Sequence, residues 1–215
     1  MAVSVVHLVR HGQVDNPGGV LYGRLPGFHL SDLGRQMAQA VGRYFADFDL
    51  SYLVCSPLER AQETMAPIAA NHPGLEIHTD PRVTEAANLF QGQSFGRYNQ
   101  NLLRPSNFKH LLNPLRPSWG ESYLGIAARM GQAIAEAAER CAGHEAVVVS
   151  HELPIWMARL SAEGKHLWHD PRKRQARLAS VTSFSFEDGR LRRIDYAEPA
   201  ADLLPPRKRR FRPGA

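Results

Sequence analysis

Short apolar runs along the chain predict the strands of a buried sheet. Four of these runs are rich in strand-forming residues and are bounded by polar or turn-forming positions. They lie at residues 3–9, 52–55, 75–79 and 146–150. Two further runs, at residues 181–186 and 191–196, flank Asp188-Gly189, a dipeptide typical of a two-residue hairpin turn. The pattern therefore predicts four strands spread along the chain and a hairpin near its end.

Longer stretches with apolar residues at helical spacing separate these runs. One stretch follows Ser31, a residue suited to cap the start of a helix. A second follows Ser56-Pro57, where we expect serine to cap the helix and proline to occupy its first position. Further helices are predicted over residues 123–141 and from Pro154 onward. Strands that alternate with helices predict an α/β fold, a single three-layer domain with a mostly parallel central sheet covered by helices on both faces.

Composition and charge divide the chain into a domain and a tail. The 215 residues, of which 43% are apolar and 22% charged, suffice for one domain with a buried core. The net charge of +5 arises near the end of the chain, because without five residues there the other 21 basic residues balance 21 acidic ones. These five are Arg207, Lys208, Arg209, Arg210 and Arg212. We therefore expect a domain over residues 1–197 and a basic, disordered tail over residues 198–215.

Cysteine usage and the lengths of the apolar runs indicate the compartment. Cys55 and Cys141 lie in apolar surroundings, which favours buried thiols over a disulfide. The apolar start, residues 1–9, is too short for a signal peptide. No apolar stretch approaches the length of a membrane span. We therefore expect a cytoplasmic protein with no membrane partner.

Polar residues at two strand ends are the first candidates for chemistry. In parallel sheets, ligands bind outside the carboxyl ends of the strands. Arg10-His11-Gly12 follows the first predicted strand, and Ser150-His151 follows the fourth. A neutral histidine is a competent nucleophile, an adjacent arginine can bind an anion through paired hydrogen bonds, and glycine lets the backbone approach a ligand. Taken alone, each motif fits an incidental surface or core histidine as well as a catalytic one.

A series of short motifs, in order between residues 3 and 160, makes the catalytic interpretation specific. They are Arg10-His11-Gly12 with Asn16 in the following loop, Gly23-Arg24, Leu30-Ser31-Asp32-Leu33-Gly34, residues 56–64 with Arg60, Glu85, Gly120-Glu121-Ser122 and Ser150-His151. Together they resemble the histidine phosphatase superfamily, which includes the cofactor-dependent phosphoglycerate mutases. The resemblance implies that residues 1–197 form a catalytic domain.

The resemblance also implies a role for each matching residue. His11 is the implied nucleophile, which attacks phosphorus and forms a phosphohistidine. The transferring group is stabilised by Arg10, Arg60 and His151, because phosphoryl transfer needs positive charge around the equatorial oxygens. Glu85 protonates the leaving oxygen and then deprotonates the attacking water. The implied substrate-binding residues are Gly12, Asn16, Gly23 and Arg24.

The expected substrate is a small phosphorylated metabolite, and no metal or cofactor is expected. A sugar phosphate, a phosphoglycerate derivative and a nucleotide-related ester all fit, because the segments that would select among them, residues 17–29 and 90–119, are the least regular. Ten histidines are present, but no zinc site is expected. His7 and His11 occupy a strand and its end, and His166 and His169 lie close together without obvious further ligands. The oligomeric state does not follow from these residues.

Two rival functions and two departures from the family remain, one at Glu152 and one in residues 85–92, where the motif is shorter than usual. A mutase would need adjacent arginines in a longer insertion, whereas Arg104 and Arg116 are single residues separated by prolines. A nucleic-acid-binding protein would use the basic run at residues 172–174 and the tail, but no interleaved aromatic residues accompany them. Glu152 follows the second histidine, where many members carry glycine, so we expect a different charge on that wall of the pocket.

Overall fold

The fold is built around a six-stranded sheet. The computed structural model describes residues 3–93 and 120–204. Within them the strands are β1 Val3–Arg10, β2 Leu50–Cys55, β3 Ile77–Thr79, β4 Glu145–Ser150, β5 Val181–Glu187 and β6 Arg190–Ala197. Their order across the sheet is β3-β2-β4-β1-β5-β6. All six predicted strands are present, with ends that differ from the prediction by at most two residues.

The sheet is mostly parallel. β1 and β2 both pair in parallel with β4, and β2 pairs in parallel with β3. β5 runs antiparallel to β1, and β6 returns antiparallel to β5 through the predicted hairpin. The hairpin residues Asp188 and Gly189 both have positive φ, of 50° and 72°, as a tight two-residue turn requires. The expected α/β architecture is confirmed.

Helices cover both faces of this sheet. Those in the described part of the chain are α1 Asp32–Tyr44, α2 Glu59–Ala70, α3 Tyr123–Cys141 and α4 Glu152–Ala162. The strands supply alternate side chains to two cores, as the period of two demands. Val147 and Val149 of β4 pack with α1 and α2, whereas Ala146 and Val148 pack with α3 and α4. Because β1, β2 and β4 run in parallel, the residues that follow these three strands lie at the same end of the sheet.

One of the two predicted helix caps is present and the other is wrong. The Ser31 hydroxyl accepts a hydrogen bond from Gly34 N at 3.0 Å and caps α1. Ser56 does not cap α2, which begins at Glu59 after Leu58. The reason is that Ser56 continues the end of β2, where its N–H donates to Val149 O at 3.0 Å. From the described backbone its hydroxyl accepts only a long hydrogen bond, from Leu58 N at 3.4 Å, and it bonds no N–H inside α2.

The predicted tail begins too early. Glu198 accepts hydrogen bonds from Arg177 Nη1 at 2.9 Å and from the Tyr196 hydroxyl at 3.0 Å. Ala200 is buried, and Ala201–Leu203 form a turn of 3₁₀ helix. Residues 198–204 therefore belong to the domain. The basic residues of the tail lie outside the described part of the chain, as do residues 94–119 of the segment that was expected to be irregular.

Two other expectations concern thiols and membranes. Cys55 and Cys141 are both buried and free, as predicted. Neither lies in a disulfide, and burial raises the pKa of both thiols. Across residues 3–93 and 120–204, no helix has the length and apolarity needed to cross a membrane.

Candidate active site

Two histidines meet because their strands are adjacent and parallel. β1 and β4 pair in a register that places Arg10 opposite Ser150, so the next residue of each strand is a histidine. The backbone N–H of His11 donates to Ser150 O at 3.2 Å. The rings of His11 and His151 lie 5.1 Å apart between centroids, and both side chains are buried. The structure thus brings the two predicted histidines to one point at the carboxyl end of the sheet.

His11 is held as a neutral imidazole with one defined tautomer. Its Nδ1 lies 2.8 Å from Gly12 O. Because a carbonyl can only accept, Nδ1 carries the hydrogen and Nε2 carries the lone pair. Burial lowers the pKa of His11 well below 6.5, and the charges of Arg60 and Arg10 lower it further. Nε2 is therefore available as a nucleophile near neutral pH.

His151 is likewise neutral and lies beside the nucleophile. Its Nε2 lies 2.8 Å from the Ser56 hydroxyl, which explains why that side chain does not cap α2. Burial is the main cause that lowers the pKa of His151 well below 6.5, and electrostatic interactions with His11 and Arg60 lower it further. Its Nδ1 is buried and has no hydrogen-bond partner among the described residues. A buried ring nitrogen without a partner is suited to contact a bound polar group.

Arg60 is a fully buried guanidinium at the start of α2. Its Nη2 donates to Gly23 O at 2.6 Å, and its central carbon lies 4.7 Å from the centre of the Tyr22 ring. Its Nε and Nη1 are buried and find no acceptor within the part of the chain described. A buried cation with unsatisfied donors is costly unless an anion binds it. The first turn of a helix adds partial positive charge at the same point.

Arg10 lies at the end of β1 and is held by two acceptors. Its Nη1 donates to Ala176 O at 2.7 Å and lies 2.9 Å from Glu152 Oε2. The Glu152 carboxylate, which follows the second histidine, is thus paired with Arg10. The sequence pattern singled out Glu152 but could not show that Arg10 is its partner, because the two residues are distant in sequence.

Glu85 follows β3 and a 3₁₀ turn at Pro81–Val83. Val83 O accepts a hydrogen bond from the Ser150 hydroxyl at 2.7 Å, which ties this segment to the end of β4. The Glu85 carboxylate accepts from Ala86 N at 2.8 Å. Burial raises the pKa of Glu85, and the hydrogen bond from Ala86 and the charge of Arg60 oppose this effect. A carboxyl group with a raised pKa can donate a proton at higher pH than an exposed one.

Arg24 contacts the backbone of Glu85. Its Nε donates to Glu85 O at 2.6 Å, and its Nη2 lies 2.9 Å from Glu121 Oε2. Arg129 binds the same carboxylate, with its Nε 2.7 Å from Glu121 Oε1. In the structure Arg24 holds the segment that carries Glu85, and its contact with substrate remains a prediction. Glu121 lay in a family motif, whereas nothing in the sequence pattern singled out Arg129.

The remaining predicted substrate-binding residues make contacts within the protein. Gly12 N donates to the Thr64 hydroxyl at 3.1 Å, and a Cβ on Gly12 would lie 2.6 Å from Gly34 O. Gly23 has a φ of +46° and supplies the carbonyl that binds Arg60. The Asn16 side chain bonds both the N–H and the carbonyl of Val20. These three residues therefore shape the backbone around the site, and contact with substrate remains a prediction for them.

The assembled site combines two guanidiniums, two neutral imidazoles and one carboxyl group. The side chains are those of Arg10, Arg60, His11, His151 and Glu85. Such a set suits a tetrahedral oxyanion that reacts with a nucleophile and an acid. No group of three or more His, Cys, Asp or Glu side chains in the described ranges could hold a metal ion.

Comparison with known sequences yields relatives over nearly the whole chain. The sequence profile of the histidine phosphatase superfamily (branch 1) matches residues 6–198. An uncharacterised protein of Mycobacterium tuberculosis is 53% identical over 196 residues, covering 91% of this chain and 96% of that protein. A probable phosphoglycerate mutase of Yersinia enterocolitica is 30% identical over 156 residues, covering 70% of each chain.

A solved structure supports the same relationship. The structure of a mycobacterial glucosyl-3-phosphoglycerate phosphatase with VO3 superposes with a TM-score of 0.70 at 25% identity. The superposition covers 89% of this chain and 97% of that chain. The similarity therefore extends to the whole domain.

Proposed function

The chain belongs to the histidine phosphatase superfamily (branch 1), and we propose that it is a phosphomonoesterase that acts through a phosphohistidine on His11. The observation that carries the proposal is the state of His11, a buried neutral imidazole that bears its hydrogen on Nδ1 and is flanked by two arginines. This arrangement supplies a nucleophilic nitrogen where positive charge already favours a phosphoryl group.

In the first step, His11 Nε2 attacks phosphorus as the ester oxygen departs. A bond forms between nitrogen and phosphorus, and the bond between phosphorus and the ester oxygen breaks. Glu85 gives its proton to that oxygen, so the alcohol leaves neutral. The raised pKa of Glu85 supports this role, because the carboxyl group must be protonated when the ester binds.

In the second step, water replaces the imidazole on phosphorus. The Glu85 carboxylate takes a proton from the water as its oxygen attacks phosphorus. The bond between nitrogen and phosphorus breaks, and the lone pair returns to His11 Nε2. Inorganic phosphate leaves, and both His11 and Glu85 return to their initial protonation states.

The remaining cationic and polar groups act on the transferring phosphoryl group. Arg60, with two buried donors, and Arg10 would bind the equatorial oxygens. His151 would contact a third oxygen through a ring nitrogen. Because these groups are fixed before substrate binds, little reorganisation is needed when charge moves during the reaction.

We infer that the substrate is a small phosphorylated metabolite. The compact set of groups around His11 suits one phosphoryl group, and in residues 3–93 and 120–204 it contains no second arginine pair. The mycobacterial relative of similar fold is named as a phosphatase of glucosyl-3-phosphoglycerate, a small phosphate ester. For this chain we infer only the same chemical class of substrate, a small phosphate ester.

Phosphate release from a panel of esters tests the proposal. The panel contains sugar phosphates, phosphoglycerates, nucleoside monophosphates and an aryl phosphate, with chelator present. We expect turnover by the native protein and a loss of at least about 10³-fold in His11→Ala, as for other covalent catalysts that lose their nucleophile. His166→Ala, at an exposed position, is the matched control and keeps its activity. Equal release by native protein and His11→Ala contradicts the proposal.

A mutase is the alternative function, and an isomerisation assay distinguishes it from a phosphatase. A relative at 30% identity is named as a probable phosphoglycerate mutase. The test is isomerisation of 2- and 3-phosphoglycerate with and without a bisphosphate, followed by NMR. Isomerisation faster than phosphate release would replace hydrolysis with mutase activity. Phosphate release without isomerisation supports the phosphatase.

A further inference from the structure

Glu152 joins the phosphate-binding arginine to a second arginine. It is the first residue of α4, directly after His151. Its Oε2 lies 2.9 Å from Arg10 Nη1, and its Oε1 lies 3.3 Å from Arg174 Nη1. Each carboxylate oxygen thus has its own cationic partner. The three side chains lie mostly out of solvent, with 8%, 23% and 15% exposure for Arg10, Glu152 and Arg174.

These contacts fix the orientation of the Arg10 guanidinium. Its Nη1 has two hydrogens and two acceptors, Glu152 Oε2 and Ala176 O. Charge-assisted hydrogen bonds away from water are short and strongly orienting. Because two acceptors bind the two hydrogens of the same nitrogen, they define the plane of the guanidinium and limit its rotation. The direction in which Arg10 faces a bound phosphoryl group therefore depends on Glu152.

Glu152 is itself held from outside. Arg174 Nε donates to His169 Nε2 at 2.8 Å, and His169 Nδ1 donates to Leu167 O at 2.8 Å. The His169 ring lies 5.7 Å from that of Tyr123 and 6.0 Å from that of Trp156. A continuous chain of contacts thus runs from His169 through Arg174 and Glu152 to Arg10. Its outer end is packed against α3 and α4.

We propose that Glu152 is a positioning residue for phosphoryl transfer and that it acts through Arg10. The inference rests on the proposed function, and it adds a residue that the mechanism above does not use. Reacting groups that are misplaced by about 1 Å can lose roughly 10²-fold in rate. Loss of the Glu152 carboxylate removes one of the two acceptors that bind Arg10 Nη1 within the described ranges, so the arginine contributes less to binding the phosphoryl group.

The charge of Glu152 has a second, separable effect on Glu85. The charged groups that face Glu85 are Arg60 and Arg10, which lower its pKa, and Glu152, which raises it. Glu85 also accepts from Ala86 N, and its carbonyl accepts from Arg24. Removing the negative charge of Glu152 lowers the pKa of Glu85. Because the general acid works protonated, the alkaline limb of the pH profile of kcat/KM moves to lower pH.

A double-mutant cycle tests the positioning role. The proteins are the native chain, Arg10→Ala, Glu152→Ala and the double variant, compared by their pH-independent kcat/KM for the best ester. We expect Glu152→Ala to lose tenfold or more. We expect Arg10→Ala to lose at least tenfold in the native background but less than threefold in the Glu152→Ala background. Glu152→Gln, which keeps an acceptor for Arg10, loses less than Glu152→Ala and still shows the shift of the alkaline limb.

A matched control separates this role from a general effect of α4. Glu163 follows the other end of α4 and pairs with Arg159 and Lys165. Glu163→Ala keeps kcat/KM within twofold and the native pH profile. A merely structural role for Glu152 would lower the melting temperature without moving the alkaline limb and without coupling to Arg10.

The same cycle, measured as the Kd of inorganic phosphate by calorimetry, does not depend on turnover. Arg10→Ala is expected to weaken phosphate binding at least tenfold in the native background and less than threefold without Glu152. If the native protein hydrolyses no ester, the proposed function fails while this cycle still decides the inference. An equal cost of Arg10→Ala with and without the Glu152 carboxylate, in folded variants, overturns it. If Glu152→Ala does not fold, Glu152→Met, which keeps most of the side-chain volume but offers Arg10 no carboxylate or amide oxygen, replaces it in the cycle, and the same equality of costs overturns the inference.

Discussion

At the scale of single residues, burial shifts the pKa values of the nucleophile His11 and the general acid Glu85 in opposite directions. It lowers the pKa of His11, where the arginine charges add to the effect, and raises the pKa of Glu85. Both shifts favour the neutral form of the group. A neutral imidazole is the nucleophile, and a neutral carboxyl is the acid. One buried environment therefore prepares both partners of the first step.

Glu85→Gln tests the assigned acid at this scale. Without a proton donor, esters with poor leaving groups should lose about 10² to 10⁴-fold in kcat/KM. An aryl phosphate whose alcohol leaves without protonation should lose much less in the first step. The alkaline limb of the pH profile should also disappear, because it reports deprotonation of Glu85. Steady-state rates for alkyl and aryl esters measure this, and equal losses for both esters would contradict the assignment.

Sequence reasoning found the residues that end strands or belong to motifs, and it missed those that act through tertiary contacts. His11 and His151 could be predicted because the position after a parallel strand is defined by local pattern. The packing of Tyr22 against Arg60 and the hydrogen bond of Ser56 with His151 could not. Each joins residues more than thirty positions apart, and no periodicity encodes such a pair.

At the scale of elements, the site depends on how closely α1 approaches the loop after β1. A Cβ on Gly34, in the first turn of α1, would lie 1.9 Å from Gln13 O. Gly12 faces the same helix, with Gly34 O as its nearest atom. These two glycines let the helix lie directly against the residues that follow His11. Their role is packing of backbone on backbone, and the loop is held in place as a result.

Gly34→Ala and Gly131→Ala form a matched pair that tests this packing. Both positions are helical, and alanine normally stabilises a helix by about 1 kcal/mol relative to glycine. A methyl group on Gly131 in α3 would have nothing within 4 Å, so we expect the usual gain there. At Gly34 we expect a loss of about 1–3 kcal/mol from overpacking. Urea unfolding measures both, and a stabilised Gly34→Ala variant would contradict the close approach.

The order of elements was predictable, and their exact starts were less so. Helical spacing and turn residues located α1 to α4 because each helix buries one face. The start of α2 was misplaced because Ser56-Pro57 fits a cap by local rules, while a contact with β4 holds Ser56 in the strand end. Local preferences thus decide that an element exists, and tertiary contacts decide where it begins.

At the scale of the whole molecule, three buried histidines resist protonation: His7, His11 and His151. His7 lies in β1, with its Nδ1 2.8 Å from the Ser183 hydroxyl and its Nε2 2.6 Å from Glu145. Burial lowers its pKa despite the neighbouring carboxylate, and burial also lowers the pKa of His11 and His151. The folded protein therefore binds fewer protons than the unfolded chain just below pH 6.5.

Stability should consequently fall as pH decreases from 7 to 5.5. Each of these histidines has a folded pKa below its unfolded value near 6.5, so its contribution is present above pH 6.5 and is lost toward the folded pKa. Each of these histidines contributes at most about 1.4 kcal/mol per pH unit to the slope of the unfolding free energy against pH. His7→Gln should reduce that slope, because the contribution of His7 is lost while those of His11, His151 and His169 remain. Denaturation series at several pH values measure it, and a flat or inverted slope contradicts it.

The whole-molecule fold followed from the sequence more completely than the domain boundary did. Alternating strands and helices predict the layered sheet because each pattern implies a buried face. The composition at residues 198–204 resembles a tail, yet Glu198 is held by Arg177 and Tyr196. Apolar contacts retain the segment as well, because Ala200, Leu203 and Leu204 pack against the core that α1 and α2 cover.

The most direct test of the account is the identification of the covalent intermediate. The Glu85→Gln variant is mixed with an aryl phosphate and quenched in alkali, in which phosphohistidine survives, and its peptides are mapped by mass spectrometry. Glu85→Gln is chosen because slow activation of water should let the intermediate accumulate. The account predicts a phosphoryl group on the peptide that contains His11, at His11 itself, and none when His11→Ala is added. Turnover without any phosphorylated peptide, or a phosphoryl group on another residue, would contradict it.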